Sequence, residues 1–306
     1  MTISPDRTSE TDETLRPLLF SIAYRMVGSV TDAEDLVQEA LLRVHSAEQE
    51  GVVIESRRPY ACAVVSRLSI DHLRSARIRR EEYVGEWLPE PIVTDRTLDP
   101  AEHAELSDSL SMAFLVLLES LSPPERAVLL LRDVFGFGFD EIAELIGKSE
   151  DNTRQVAVRA RQRVQDRKPR FEASVERRWA LAERFFAAVE QGDTDGLISL
   201  LAADATMYGD GGGRAPARRT PVRGAVAVAR FLVHLARQTR RDGVTLALVD
   251  VNGQPGAIAH SPAGETVAVL SLDIADGQVI ALRSVVNPDK LTHLRRRSST
   301  ARRRGG

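Results

Sequence analysis

Apolar residues recur at three- and four-residue steps through the first half of the chain and at two-residue steps near its end, so helices should come first and strands last. Between Thr31 and His45, apolar Ala33, Leu36, Val37, Ala40, Leu41 and Val44 share one helical face, with Thr31 as the predicted N-cap and Asp32, Glu34 and Asp35 in the first turn. The opposite face carries Asp35, Gln38, Glu39 and Leu42. A second helix between Pro59 and Arg80 turns Val64, Val65, Leu68 and Leu73 inward and its arginines outward. The period breaks from Glu82 to about Asp108, around Trp87-Leu88-Pro89-Glu90-Pro91, where each proline disfavours a helical residue before it. An extended linker is expected there.

Helical periodicity resumes over residues 109 to about 168. Leu121-Ser122-Pro123-Pro124-Glu125 predicts a helix start with Ser122 as cap and proline in the first turn. A short amphipathic helix over Asp140–Ile146, a left-handed Gly147 and a helix capped by Ser149 make a helix-turn-helix. Its second helix turns Thr153, Val156, Ala157, Ala160 and Val164 inward, which leaves Arg154, Gln155, Val158, Arg159 and Gln162 on the open side. After Phe171 three helical stretches, Ser174–Gln191, Thr194–Ala202 and Val222–Arg240, precede four strands at Val244–Val251, Gly256–His260, Thr266–Leu272 and Val279–Val286. Helices followed by a meander predict an α+β domain. The arginine- and serine-rich tail from Leu294 has no apolar face and is expected to be disordered.

Composition narrows the classes. With 306 residues, 43% hydrophobic and 28% charged, the chain is globular and long enough for more than one core. The lone Cys62 closes no intrachain disulfide and makes no cysteine-based metal site, which suits a reducing cytoplasm. No stretch approaches the roughly 20 apolar residues that span a bilayer, and the start is polar and acidic, so neither export nor a membrane is expected. A net charge of -3 hides a segregation of signs: residues 32–50 are acidic, whereas residues 57–80 and 154–170 are rich in arginine. Genomic base composition accounts for arginine outnumbering lysine, but not for the clustering. Arg154 and Gln155 are of the types that read guanine and adenine edges in a major groove. No metal cluster, phosphate-binding loop or nucleophile with a partner base is present, and no cofactor is expected. Asp204, Asp210, Asp273, His234 and His260 are available for acid-base work in an apolar domain, without a diagnostic spacing. Three consecutive glycines, Gly211, Gly212 and Gly213, point to close approach of a chain segment or ligand.

Leu18 to His45, containing DAEDLVQEALLRVH, resembles region 2 of the extracytoplasmic-function sigma-70 factors. Leu121 to Arg163, containing LSPPERAVLLLRDVFGFGFDEIAELIG and RAR, resembles their region 4. The remaining third resembles a SnoaL-like domain of the nuclear-transport-factor-2-like class, a cone of helices against a curved sheet. Sigma factors with this extension share three signatures, found here as Trp87-Leu88-Pro89-Glu90-Pro91, Asp210-Gly211-Gly212-Gly213-Arg214 and Asn287-Pro288-Asp289-Lys290-Leu291. The implied fold is multidomain: all-α region 2 over 1–82, a linker over 83–108, an all-α helix-turn-helix region 4 over 109–170, an α+β SnoaL-like domain over 171–293 and a basic tail over 294–306.

The resemblance implies an alternative sigma factor, not an enzyme, whose partners are the β′ and β subunits of core RNA polymerase and promoter DNA. It assigns Asp32, Asp35, Gln38 and Glu39 to the polymerase, and the loop Glu48–Ser56 to capture of a flipped base. Arg67, Asp71, Arg74 and Arg77 fall to the melting minus-ten DNA, although the family often carries asparagine where Arg67 stands. Asn152, Arg154, Gln155 and Arg159 fall to the minus-35 element, with Arg161 or Arg163 on phosphates. Trp87, Leu88, Pro89, Asp210, Gly211, Gly212, Gly213, Asn287, Pro288, Asp289 and Lys290 would regulate in cis, so that no dedicated anti-sigma protein is needed. Two alternatives stay open: a SnoaL-like domain that senses a small molecule or retains an enzyme activity, and a helix-turn-helix repressor that binds DNA without polymerase.

Overall fold

The computed structural model describes residues 11–81, 83–94, 109–165 and 174–294, and of residues 76–81 the backbone alone. The chain divides into two compact units, Met1–Ile78 with Leu121–Arg163, and Arg79–Ser120 with Val164–Gly306.

The first unit is helical. It holds α1 (Asp12–Val27), α2 (Val30–Gln49) and nearly all of α3 (Arg57–Glu81). Gly28 ends α1 in the left-handed conformation at φ 70°. The α2 cap is Ser29 and not the expected Thr31: its hydroxyl accepts the Asp32 N–H at 3.1 Å, and the helix starts at Val30. The expected apolar face of α2 is buried throughout. After α4 (Met112–Leu118), which belongs to the second unit, come α5 (Pro123–Leu129), a π-helical turn over Leu130–Val134, α6 (Phe139–Ile146) and α7 (Glu150–Gln165). At the start of α5 the Glu125 carboxylate accepts the Ser122 N–H at 3.0 Å and its hydroxyl at 2.7 Å. Gly147, at φ 66° and ψ 43°, turns the chain between α6 and α7. Ser149 then caps α7 by accepting the Asn152 N–H at 3.3 Å.

These helices share one interior. Arg126 of α5, 3% exposed, donates to the Met26 carbonyl of α1 at 2.6 Å. Its burial pulls the guanidinium pKa down to about 9.

The second unit is α+β. Helices α8 (Val175–Gln191), α9 (Thr194–Leu200) and α10 (Ala225–Arg241) accompany a sheet of order β1-β4-β5-β6-β7-β2-β3. Its strands are β1 (Val93–Thr94), β2 (Leu201–Asp210), β3 (Val222–Arg223), β4 (Thr245–Val251), β5 (Gln254–His260), β6 (Thr266–Ala275) and β7 (Gln278–Val285). The four expected strands are present, and three more join them. The expected helix over Thr194–Ala202 stops at Leu200, and Leu201 opens β2, which pairs parallel with β7. Leu, Ala and Met in β2 suit a helix; the pairing partner decides, as is common for strands. Val222 and Arg223 form β3 and do not begin α10.

The linker is partly sheet: Val93 and Thr94 pair antiparallel with Val251 and Asp250. One apolar core joins Phe185, Leu197, Ala229, Leu272 and Leu282, and a second joins Leu88, Met112, Val251, Val285 and Leu291. Residues 109–120, expected with region 4, thus pack with the C-terminal domain. Residues 95–108 of the linker and 295–306 of the tail lie outside the described residues. No described helix is long and apolar enough to cross a membrane.

Candidate functional site

The three short signatures meet around one carboxylate in the second unit. Asp210 ends β2 with no exposed surface. Its Oδ2 accepts the Leu88 N–H at 2.7 Å and the Lys290 ammonium at 2.7 Å, and its Oδ1 accepts the Tyr83 hydroxyl. Its carbonyl accepts the N–H groups of Val286 at 2.8 Å and Asn287 at 3.0 Å. Lys290 also donates to the Leu88 carbonyl and stands 4.4 Å from the Trp87 ring centre and 4.8 Å from that of Tyr83. Asn287 Nδ2 donates to the Tyr83 hydroxyl at 2.9 Å. Burial, and after it the Asp210 carboxylate, push the Tyr83 phenol well above its ordinary range.

A buried ion pair is stable only when further hydrogen bonds replace the lost water, and here the Tyr83 hydroxyl, the Leu88 amide and two ring faces do so. The glycines leave room for it. A Cβ on Gly212, at φ 55°, would fall 2.2 Å from Asn287 Nδ2 and 2.9 Å from the Tyr83 hydroxyl. One on Gly211 would fall 2.3 Å from the Ala215 carbonyl oxygen. Pro89 is buried, Pro288 opens a 3-10 turn over Pro288–Leu291, and Asp289 pairs with Arg214 at 3.2 Å on the surface.

Sequence reasoning missed Tyr83, Asn252 and His293. Asn252, 1% exposed, accepts the Ile92 N–H at 2.9 Å and donates to the Leu110 carbonyl at 3.0 Å, so it staples the linker on both sides of its undescribed part. Its one local signal was the Asn-Gly turn, which the positive φ of 56° satisfies. His293 Nε2 lies 2.8 Å from the Pro91 carbonyl oxygen, and nothing in its neighbourhood along the chain announces it.

In the first unit, Asp35, Gln38 and Glu39 are exposed on α2 beside Leu42, which is 54% exposed. Asp32 is instead turned toward His72 of α3, at 3.4 Å. Val53, in the loop after α2, is 89% exposed. Arg67 is exposed on α3 and donates at 3.4 Å to the carbonyls of Glu144 and Leu145 in the last turn of α6. Asp71 and Arg74 form an exposed ion pair at 2.9 Å, and the Arg77 side chain lies outside the described residues. Asn152, Arg154, Gln155 and Arg159 are all exposed on α7. Arg154 pairs with Glu150 and covers the Phe139 ring at 4.6 Å. Arg161 or Arg163 is expected on phosphates; within the unit Arg161 pairs with Asp133 and Arg163, at 2.7 Å, with Glu125, and both side chains stay about half exposed.

The acid-base candidates do not gather. Asp204 and His234 are exposed, Asp273 is paired with Arg283 in the interior, and Asp210 is held as described. None of them, nor His260, lines the apolar cavity of the second unit. Among the described residues no group of His, Cys, Asp and Glu could hold a metal ion.

Comparison with known proteins agrees with both halves. Family models for Sigma-70 region 2 and Sigma-70 region 4 match residues 12–79 and 111–164. The ECF RNA polymerase sigma factor SigJ of Mycobacterium tuberculosis is 40% identical over 291 residues, 92% of this chain and 92% of its own. The probable ECF sigma factor SigI of the same species is 33% identical over 92% of this chain and 93% of its own. The crystal structure of M. tuberculosis SigJ is similar at a TM-score of 0.73 and 36% identity, covering 92% of this chain and 96% of that one.

Proposed function

This chain belongs to the extracytoplasmic-function sigma-70 factors, alternative sigma factors that direct transcription initiation, and from that premise we propose that its own C-terminal domain restrains it. Asp35, Gln38 and Glu39 of α2 dock on core RNA polymerase. The α7 face of Asn152, Arg154, Gln155 and Arg159 reads the minus-35 element, and α3 with the loop after α2 takes the minus-ten element.

One observation carries the restraint: the described parts of the polypeptide that joins region 2 to region 4, residues 83–94 and 109–120, are built into the C-terminal unit, while the two regions pack as one body. Minus-ten and minus-35 elements lie about 25 base pairs, or roughly 85 Å, apart on B-form DNA. A compact body of about 120 residues has a radius of gyration of roughly 14 Å, so the two regions must separate to engage both elements. A freed linker of about 40 residues could span roughly 130 Å. With Tyr83, Leu88, Ile92 and Leu110 held, far less of it is available.

Run-off transcription by purified core polymerase tests this. The double variant Asp210→Asn/Lys290→Met, which removes both charges of the clasp together, should yield several-fold more product than the parent chain at limiting sigma concentration. Equal product from both would remove the restraint. No product from either, with DNA binding retained, would favour a repressor.

A further inference from the structure

The second unit holds a partly open cavity of about 440 Å³ between α8, α10 and strands β4 to β7, within the range of roughly 300–1,000 Å³ typical of small-molecule sites. Phe185, Val189, Leu232, Leu246, Leu270 and Leu282 represent its walls. Among the described lining residues Asp242 is the one ionisable group, and it is exposed at the C-terminal end of α10. Gln238, Thr239, Thr266 and Ser284 are the other polar residues of the lining. An anion entering such walls would lose its hydration without gaining a counter-ion and would meet Asp242, whereas a cation would find a counter-ion only in that one exposed carboxylate.

Two further lining residues connect the cavity to the clasp. Pro288 and Leu291 close part of its wall, and both belong to the 3-10 turn that carries Lys290. From that turn Lys290 holds Asp210 and the Leu88 carbonyl, and Asn287, just before it, holds Tyr83. Leu291 also shares an apolar cluster with Leu88. A single turn therefore presents one side to the cavity and the other to the segment that ties down the linker.

We propose that the cavity binds a small, uncharged, largely apolar molecule, and that its occupancy shifts the Pro288–Leu291 turn and so changes the hold on residues 83–91. This deepens the restraint proposed above and rests on it for its consequence in transcription. A ligand shifts the clasp only as far as it binds the two positions of the turn unequally, so the effect must be read at the clasp as well as in the cavity.

The probe is N-phenyl-1-naphthylamine, a neutral fluorescent amine, used with the full chain. It should saturate at one molecule per chain, and decanamide should displace it at least tenfold better than decanoate. Ala268→Trp and Ala236→Trp fill the void from β6 and from α10, and each should weaken the probe at least tenfold; either suffices if the other melts early. Hydrogen exchange at the Leu88 amide, held by Asp210, should change at least threefold in rate when the probe saturates the parent chain, and should not respond in the filled variants.

Probe binding that survives both fillings would overturn the site, and decanoate competing as well as decanamide would overturn the ligand class. A Leu88 amide that ignores the bound probe would overturn the coupling. None of these measurements involves polymerase, so their failure leaves the transcription test of the restraint independent.

Discussion

A carboxylate with no exposed surface persists at position 210 because a lysine, a phenol and an amide meet it from two other segments of the chain. Lys290→Met alone should therefore lower the unfolding free energy by about 3–5 kcal/mol, since it strands a buried anion, whereas the double variant Asp210→Asn/Lys290→Met should lose clearly less. Urea denaturation of the three proteins measures this. Tyr83 titrates above its ordinary value, so the stability it contributes is complete below the usual phenol range and is lost only as pH rises through the higher folded value. An absorbance titration at 295 nm should show a late tyrosine component that Tyr83→Phe removes. Glu125 shifts the other way: burial raises its pKa, but the Ser122 bonds and Arg163 outweigh it and hold the carboxyl below the usual range. Its contribution is present above the ordinary carboxylate range and disappears as pH falls through the folded value. Glu125→Gln should accordingly flatten the acid side of a plot of melting temperature against pH. Of these residues Asp210 and Lys290 were legible because they lie in recognisable signatures. Tyr83 was not, because its role depends on groups 127 and 204 positions away along the chain.

At the level of elements, legibility followed the locality of the determinants. The helix-turn-helix could be read in advance because its period, its Ser149 cap and its left-handed Gly147 lie within a few residues of one another. β2 could not, because residues that suit a helix become a strand beside β7. On α7, Gln155→Ala should relax preference at one minus-35 base pair by about 1–3 kcal/mol, which binding to a set of single-base promoter variants measures. On α2, Asp35→Arg should weaken capture of core polymerase and leave DNA sequence preference unchanged. In the turn after β2, Gly212→Ala places a methyl group against Asn287 at a positive φ. It should destabilise the fold by about 1–3 kcal/mol and speed exchange at the Leu88 amide.

Across the whole molecule the sequence by itself determined the order of helical and α+β parts, the inward and outward faces of α2 and α7, and the segregation of acidic from basic segments. Each of those rests on neighbours a turn or two apart, where helical period, capping and charge act without regard to the rest of the chain. What only the tertiary structure decided is which long-range partners the segments take. The linker leaves solvent to become an edge strand and half of a clasp, and α4 joins the C-terminal core. Arg67, Arg161 and Arg163, expected at DNA, stay exposed and also bond groups tens of residues away. A side chain's type announces the charge or hydrogen bond it can offer; which of several competing partners receives it depends on burial and geometry that exist only once the whole chain has folded.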